Sequence, residues 1–223
     1  MRARYVSETD LEALRDPESA GWKPREALPI ALMGTPLGMQ PSEAIRVAWS
    51  ERRIGAVDRV RVAAAHDGRE LAFHLEWADP TENGAVHDND QFPDAAAVLL
   101  PSAPGAPLIT MGQSGQAVNA WYWRADQPSA RNIVAEGLGT SRSVDDERVR
   151  ARGVWKEGHW RVVIARALRV EGPDPVAQLR PGESSGFGVA VWDGGSGERA
   201  GIKSFSGPQW IDLQLGGLPS AGR

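Results

Sequence analysis

An antiparallel β-sandwich is the fold this sequence predicts, and three observations predict it. Short runs alternate with period two, as in Leu71/Phe73/Leu75/Trp77 against Ala72/His74/Glu76. Tight-turn sequences, His66-Asp67-Gly68-Arg69 and Lys156-Glu157-Gly158-His159, separate such runs as hairpin connections. No stretch sustains a helical period for long, so the 223 residues read as one all-β domain with short helices and long loops.

Residues 1–22 read as a polar lead-in with one short helix near Ser7–Arg15, capped by Ser7 or Thr9. Ala27–Met33 is apolar but broken by Pro29, which suits an edge strand, and Gly34–Pro41 is a loop. Val60/Val62/Ala64 and Leu71–Trp77 form the first hairpin, ended by Asp79-Pro80-Thr81. Residues 80–94 are a polar loop carrying Glu82, Asp88, Asn89, Asp90 and Asp94. A solvated loop and a calcium loop both suit that composition, although the spacing fits no EF-hand.

Ala95–Leu100 is a continuous apolar strand, followed by a Pro/Gly-rich stretch over 101–107. The next strand sets Val118/Ala120/Tyr122 against Asn119/Trp121/Trp123, and residues 127–146 read as a polar connection. Val149–Trp155 and Trp160–Leu168 make a second hairpin. Gly186 and Gly188 within Ser185–Trp192 suggest a bulge or a close ligand. A loop over Asp193–Gly201 lands on Ile202-Lys203-Ser204-Phe205, and Trp210–Leu215 closes the fold.

Composition excludes much chemistry. A net charge of −4 argues against a nucleic-acid partner. With no cysteine there is no disulfide, thiolate zinc site, cysteine-held iron–sulfur cluster or covalent c-type heme. No apolar run is long enough for a membrane span. The first thirty residues show no export signal, so the chain is expected to be a mature or co-exported periplasmic form, with a cytoplasmic location as the alternative. Gly-Gln-Ser114-Gly lacks the spacing of a nucleophile elbow. His66, His74, His87 and His159 form no pair at metal-ligand helical spacing.

Two residues hold more interest. Met111 enters a turn between Gly112 and Gly115, where the backbone can be approached closely. By residue type it is a gap-filling core methionine, and Met33 and Met39 are rival soft donors. Lys203 is one of three lysines, with Lys23 and Lys156, in a chain whose other basic residues are all arginine. Flanked by Ile202 and Phe205, it reads either as a snorkelling lysine or as a desolvated amine with a lowered pKa and a lone pair for a metal.

Four stretches resemble one family. They are His66–Asp79, Gln91–Pro101, Met111-Gly-Gln-Ser-Gly-Gln-Ala-Val-Asn-Ala-Trp-Tyr-Trp-Arg-Ala125, and Trp192-Asp-Gly-Gly-Ser-Gly-Glu-Arg-Ala-Gly-Ile-Lys203. In this order they resemble the heme b-binding γ subunits of type II dimethyl-sulfoxide-reductase-like molybdoenzymes, among them ethylbenzene dehydrogenase, dimethylsulfide dehydrogenase, chlorate reductase and selenate reductase. The resemblance implies one non-covalent heme b, buried between two sheets, with Met111 and Lys203 as axial ligands. Asn119, Trp121 and Phe205 are candidate pocket residues beside them. It further implies a non-catalytic subunit of a heterotrimer. The molybdenum cofactor belongs to a molybdopterin catalytic subunit and the iron–sulfur clusters to a second partner, with an external carrier such as a cytochrome c. Two rival readings are a carbohydrate-binding module bearing tryptophans and a sandwich cytochrome with Met and His ligands.

Overall fold

The computed structural model describes residues 1–86, 88, 90–144 and 148–218. The chain forms β1 (Arg2–Tyr5), α1 (Glu8–Ala13), β2 (Leu28–Ala31), β3 (Met33–Gly34), α2 (Glu43–Ala48), β4 (Arg59–His66), β5 (Glu70–Ala78) and β6 (Ala95–Pro101). There follow β7 (Gly112–Gln113), β8 (Gln116–Arg124), β9 (Arg131–Ala135), β10 (Arg142–Val144), β11 (Val149–Lys156) and β12 (His159–Ala167). The last three are β13 (Ser184–Trp192), β14 (Ser204–Phe205) and β15 (Ile211–Leu215).

Pairing arranges these strands as two layers. One layer has the order β11-β12-β5-β4-β1, with β2 on the edge of β4. The other runs β10-β9-β8-β6-β13-β15, with β14 and β3 added beyond β13. The layers join where β1 pairs in parallel with both β15 and β4. The described helices α1 and α2 are six residues each, so the architecture is the predicted β-sandwich.

Local chemistry explains the hairpins. In β4–β5 the turn closes on Asp67, whose Oδ1 accepts from the backbone N–H groups of Arg69 and Glu70 at 2.8 Å. In β11–β12, Glu157 and Gly158 both take positive φ, the geometry a two-residue turn needs. Pro29 sits in β2 on the edge of its layer, where a missing N–H is tolerated. Ser7 caps α1 by accepting from the Asp10 N–H at 3.1 Å.

The core lies between the layers. Phe73 meets Trp121 and Phe187 at ring-centroid distances of 5.9 and 5.7 Å. Trp77, Trp123 and Trp160 form a second aromatic group at 5.0–6.4 Å. Val60, Val62, Leu75, Val98, Ile164, Val189 and Leu213 fill the rest. Close-packed side chains fill the centre of that interior.

Three expectations change. The polar lead-in contains β1, the strand that stitches the layers. The connection over 127–146 contains β9 and β10. Gly186 and Gly188 form no bulge, since the β13 register is continuous against β15 and then β6. Both glycines make room for neighbours instead: a Cβ at Gly186 would lie 2.7 Å from the Trp210 Cβ, and one at Gly188 2.9 Å from a Leu108 methyl.

Candidate functional site

The alternation of β8 decides which residues share a face. Asn119, Trp121 and Trp123 turn inward, while Val118, Ala120 and Tyr122 turn to the outer surface of their layer. On that outer face Ala95, Ala97, Ala120 and Ala190 make a floor of small side chains. Larger groups surround it: Leu99, Leu108, Tyr122, Ile133, Trp192, Phe205 and Met111. The indole of Trp192 meets the Tyr122 ring edge-on at 5.3 Å.

Met111 approaches this face from the end where β7 pairs with the start of β8. Its φ is +57°, a left-handed conformation that costs a non-glycine residue on the order of 1–3 kcal/mol. Neighbouring bonds hold it there: its N–H donates to the Leu108 carbonyl at 2.9 Å, and its carbonyl accepts from Gly137 at 3.0 Å. Gly112 follows at φ +89°, and a Cβ on it would lie 2.6 Å from the Ala135 carbonyl oxygen. The turn is therefore built tightly around the methionine.

Lys203 approaches from the β14 end. It directly precedes β14, and its Nζ stands 5.5 Å from the Trp192 ring centroid. Lys23 and Lys156 pair with Glu26 and Glu18, whereas Lys203 Nζ makes no ion pair or hydrogen bond among the described residues. Burial lowers its pKa to about 8, opposed by the negative charge of Glu198. The backbone is pinned around it. Thr35 Oγ1 and Gln40 Nε2 donate to the Gly201 carbonyl at 2.7 and 3.0 Å, and the Thr35 N–H donates to the Lys203 carbonyl at 3.0 Å. Glu198, buried, accepts from the N–H groups of Gly55 and Ala56 at 2.7 and 3.0 Å.

Met111 and Phe205 pack in one cluster with Trp192 and Tyr122, and Lys203 stands over the Trp192 ring. A cavity of about 350 Å³ opens beside Trp192, lined by Ile45, Trp49, Tyr122, Glu198 and Ile202 among others; neither Met111 nor Lys203 lines it. A larger hollow of about 740 Å³ lies by Trp123, Trp155 and Trp160, away from both candidate donors. Its lining offers no soft donor and no lysine amine.

Of the other candidates, Asn119 and Trp121 lie on the opposite side of β8 from Val118, Ala120 and Tyr122. Asn119 Oδ1 accepts from Arg166 Nη1 at 2.7 Å, from Trp121 Nε1 at 3.2 Å and from the Ala177 N–H at 3.2 Å. The guanidinium lies 4.7 Å from the centroid of the Trp121 ring. These residues hold a buried arginine in the core. Trp192 and Glu198 act on Lys203, a proximity that nothing in the sequence shows.

A family profile described as ethylbenzene dehydrogenase matches residues 19–148 and 136–204. The chain belongs to that family. A chlorate reductase subunit gamma of Ideonella dechloratans is 36% identical over 156 residues, which cover 70% of this chain and 64% of that one. A putative respiratory nitrate reductase heme subunit of Haloferax mediterranei is 28% identical over 224 residues, covering 97% of this chain and 76% of that one. Among solved structures, a family 9 carbohydrate-binding module of Caldicellulosiruptor kristjanssonii in complex with glucose superposes with a TM-score of 0.55 at 13% identity. It covers 100% of this chain and 98% of the module. A putative carbohydrate-binding protein of Bacteroides uniformis gives 0.53 at 8% identity, with coverage of 96% and 98%. At these identities the likeness concerns the sandwich fold alone.

Proposed function

We propose that this family member is the heme-carrying electron-transfer subunit of a molybdenum-dependent oxidoreductase complex. One non-covalent heme b would be held by Met111 and Lys203. The observation that carries the reading is Lys203: a half-buried amine with no ion pair, whose pKa burial pulls toward neutrality, on a rigidly held segment. An amine binds iron only when deprotonated, and a site that disfavours the ammonium lowers the cost of losing that proton.

By donor type, a thioether and an amine suit a heme iron. The Met111 thioether is a soft ligand that favours the reduced metal, and the Lys203 amine favours the oxidised one. Such a heme would accept and release single electrons. Tyr122, Trp192 and Phe205 supply apolar surface beside these donors. The names of the two relatives, a reductase γ subunit and a heme subunit, support the same reading.

Catalysis belongs in this reading to a molybdopterin subunit, and an iron–sulfur subunit lies between it and this chain. An external carrier, a cytochrome c among the options, exchanges electrons with the heme. The periplasm is the proposed compartment. Among the described residues no helix is long and apolar enough to cross a membrane.

Neither rival reading is carried by a specific observation. His66 and His74 lie in the other layer, His74 stacked on Trp22, and His159 opens β12 there; His87 lies outside the described residues. Purified protein supplied with heme should be red and should release all its heme into acidic organic solvent, because no cysteine tethers it. Colourless protein that binds no hemin on titration contradicts the proposal.

A further inference from the structure

A second group of side chains gathers where β5 ends, β6 begins and the β13–β14 loop leaves. Asp79, Asp94 and Asp193 each bring a carboxylate oxygen within 4.8 Å of the other two. Asp79 and Asp94 are 1% and 0% exposed, and no lysine or arginine pairs with any of the three among the described residues. Three acids converging without a cation is an expensive arrangement in a low-dielectric setting.

Most oxygens of the group are engaged. Asp94 Oδ1 accepts from the Gly194 N–H at 2.8 Å, and Oδ2 from the Asn83 N–H and Trp160 Nε1 at 2.8 and 2.9 Å. Asp193 accepts from the Ser196 N–H and Oγ at 2.9 and 3.0 Å. Asp79 Oδ1 accepts from the Thr81 N–H at 3.1 Å. Asp79 Oδ2 is different. It is fully buried and receives no hydrogen bond; Trp77 Nε1 acts on this carboxylate but falls short of hydrogen-bond geometry. A buried carboxylate oxygen without a donor, on an aspartate that converges with two others, is what a bound cation satisfies.

The sequence Asp79-Pro-Thr81-Glu-Asn83 adds neutral oxygens at alternate positions. A Cβ built at Gly195 would stand 3.0 Å from both Asn83 Oδ1 and Thr81 Oγ1 and 3.2 Å from Asp193 Oδ1, so these oxygens gather around one glycine. We propose that Asp79, Asp94 and Asp193, assisted by Thr81 and Asn83, bind a hard divalent cation, Ca²⁺. The donors in the group are all oxygens and come from two irregular loops, which suits the six to eight flexible oxygen contacts of Ca²⁺ better than the strict octahedron of Mg²⁺. The ion ties the β5–β6 loop to the segment that carries Glu198 and Lys203. Desolvation and the neighbouring acids push Asp79 up to about 7, which accords with a carboxylate lacking its counter-charge.

The test uses the full chain, stripped with a chelator, and Tb³⁺ as the probe, with Trp160 beside Asp94 as sensitiser. Saturable one-to-one terbium luminescence, displaced by Ca²⁺ and weakened about tenfold or more by Asp193→Asn, is the expected result. Ca²⁺ should also raise Tm above its value in chelator, a reading that needs no variant. Absence of saturable emission together with an unchanged Tm overturns the proposal and leaves a proton shared among the acids as the explanation. Binding that Asp193→Asn leaves unchanged also overturns it, because the ion then sits elsewhere in the acidic loop. Both readings are independent of heme.

Discussion

Lys203 shows how one side chain can carry a functional signal that its residue type hides. A lysine beside Ile202 and Phe205 suits a snorkelling amine as well as a ligand, and burial together with the missing ion pair separates the two. Its folded-state pKa of about 8 lies below the ordinary 10.5, so unfolding takes up a proton between those values. Stability of the heme-free protein should therefore rise as pH climbs from about 8 to about 10.5. Below pH 8 the full cost of the buried ammonium is present. Lys203→Met should be more stable than wild type at pH 7 by about 1–3 kcal/mol, by urea unfolding, with the gap closing near pH 10.5. A gap that does not change with pH contradicts the burial argument.

At the scale of elements, the turn from Met111 to Gly115 was legible as a close-approach turn, but its strain was not. Nothing in the sequence reveals that Met111 itself takes positive φ. Gly112→Ala should cost more than about 1 kcal/mol, since φ is +89° and the new Cβ meets the Ala135 carbonyl oxygen. It should also weaken hemin binding by displacing Met111, which a titration checks against the unfolding curve. The two hairpins were readable because alternation and turn chemistry agree in them. β1, β9 and β10 were not, since their short polar sequences draw their stability from neighbours far along the chain.

Across the whole molecule, alternation along β8 correctly set two residue groups apart but did not say which group faces the core. The two layers decide that, and they bury Asn119 and Trp121 while Met111 packs in the cluster with Trp192 and Lys203 stands over the Trp192 ring. The acidic group was illegible for a similar reason: Asp193 lies about a hundred positions from Asp79 and Asp94 in sequence and meets them only through β13. The layers should also separate stability from site chemistry. Phe73→Ala, at the centre of the inter-layer core, should cost about 3–5 kcal/mol in urea unfolding while leaving the spectrum of bound heme unchanged. A changed spectrum would mean that the outer face depends on core packing.

The most direct measurement is the absorption and spin state of hemin-loaded protein in wild type and in Lys203→Ala. With Met111 and Lys203 as ligands, wild type is low-spin and six-coordinate. Lys203→Ala becomes high-spin with heme still bound, and single variants of His66, His74 and His159 stay low-spin. A Lys203→Ala protein that remains low-spin, together with a histidine variant that does not, contradicts the assignment.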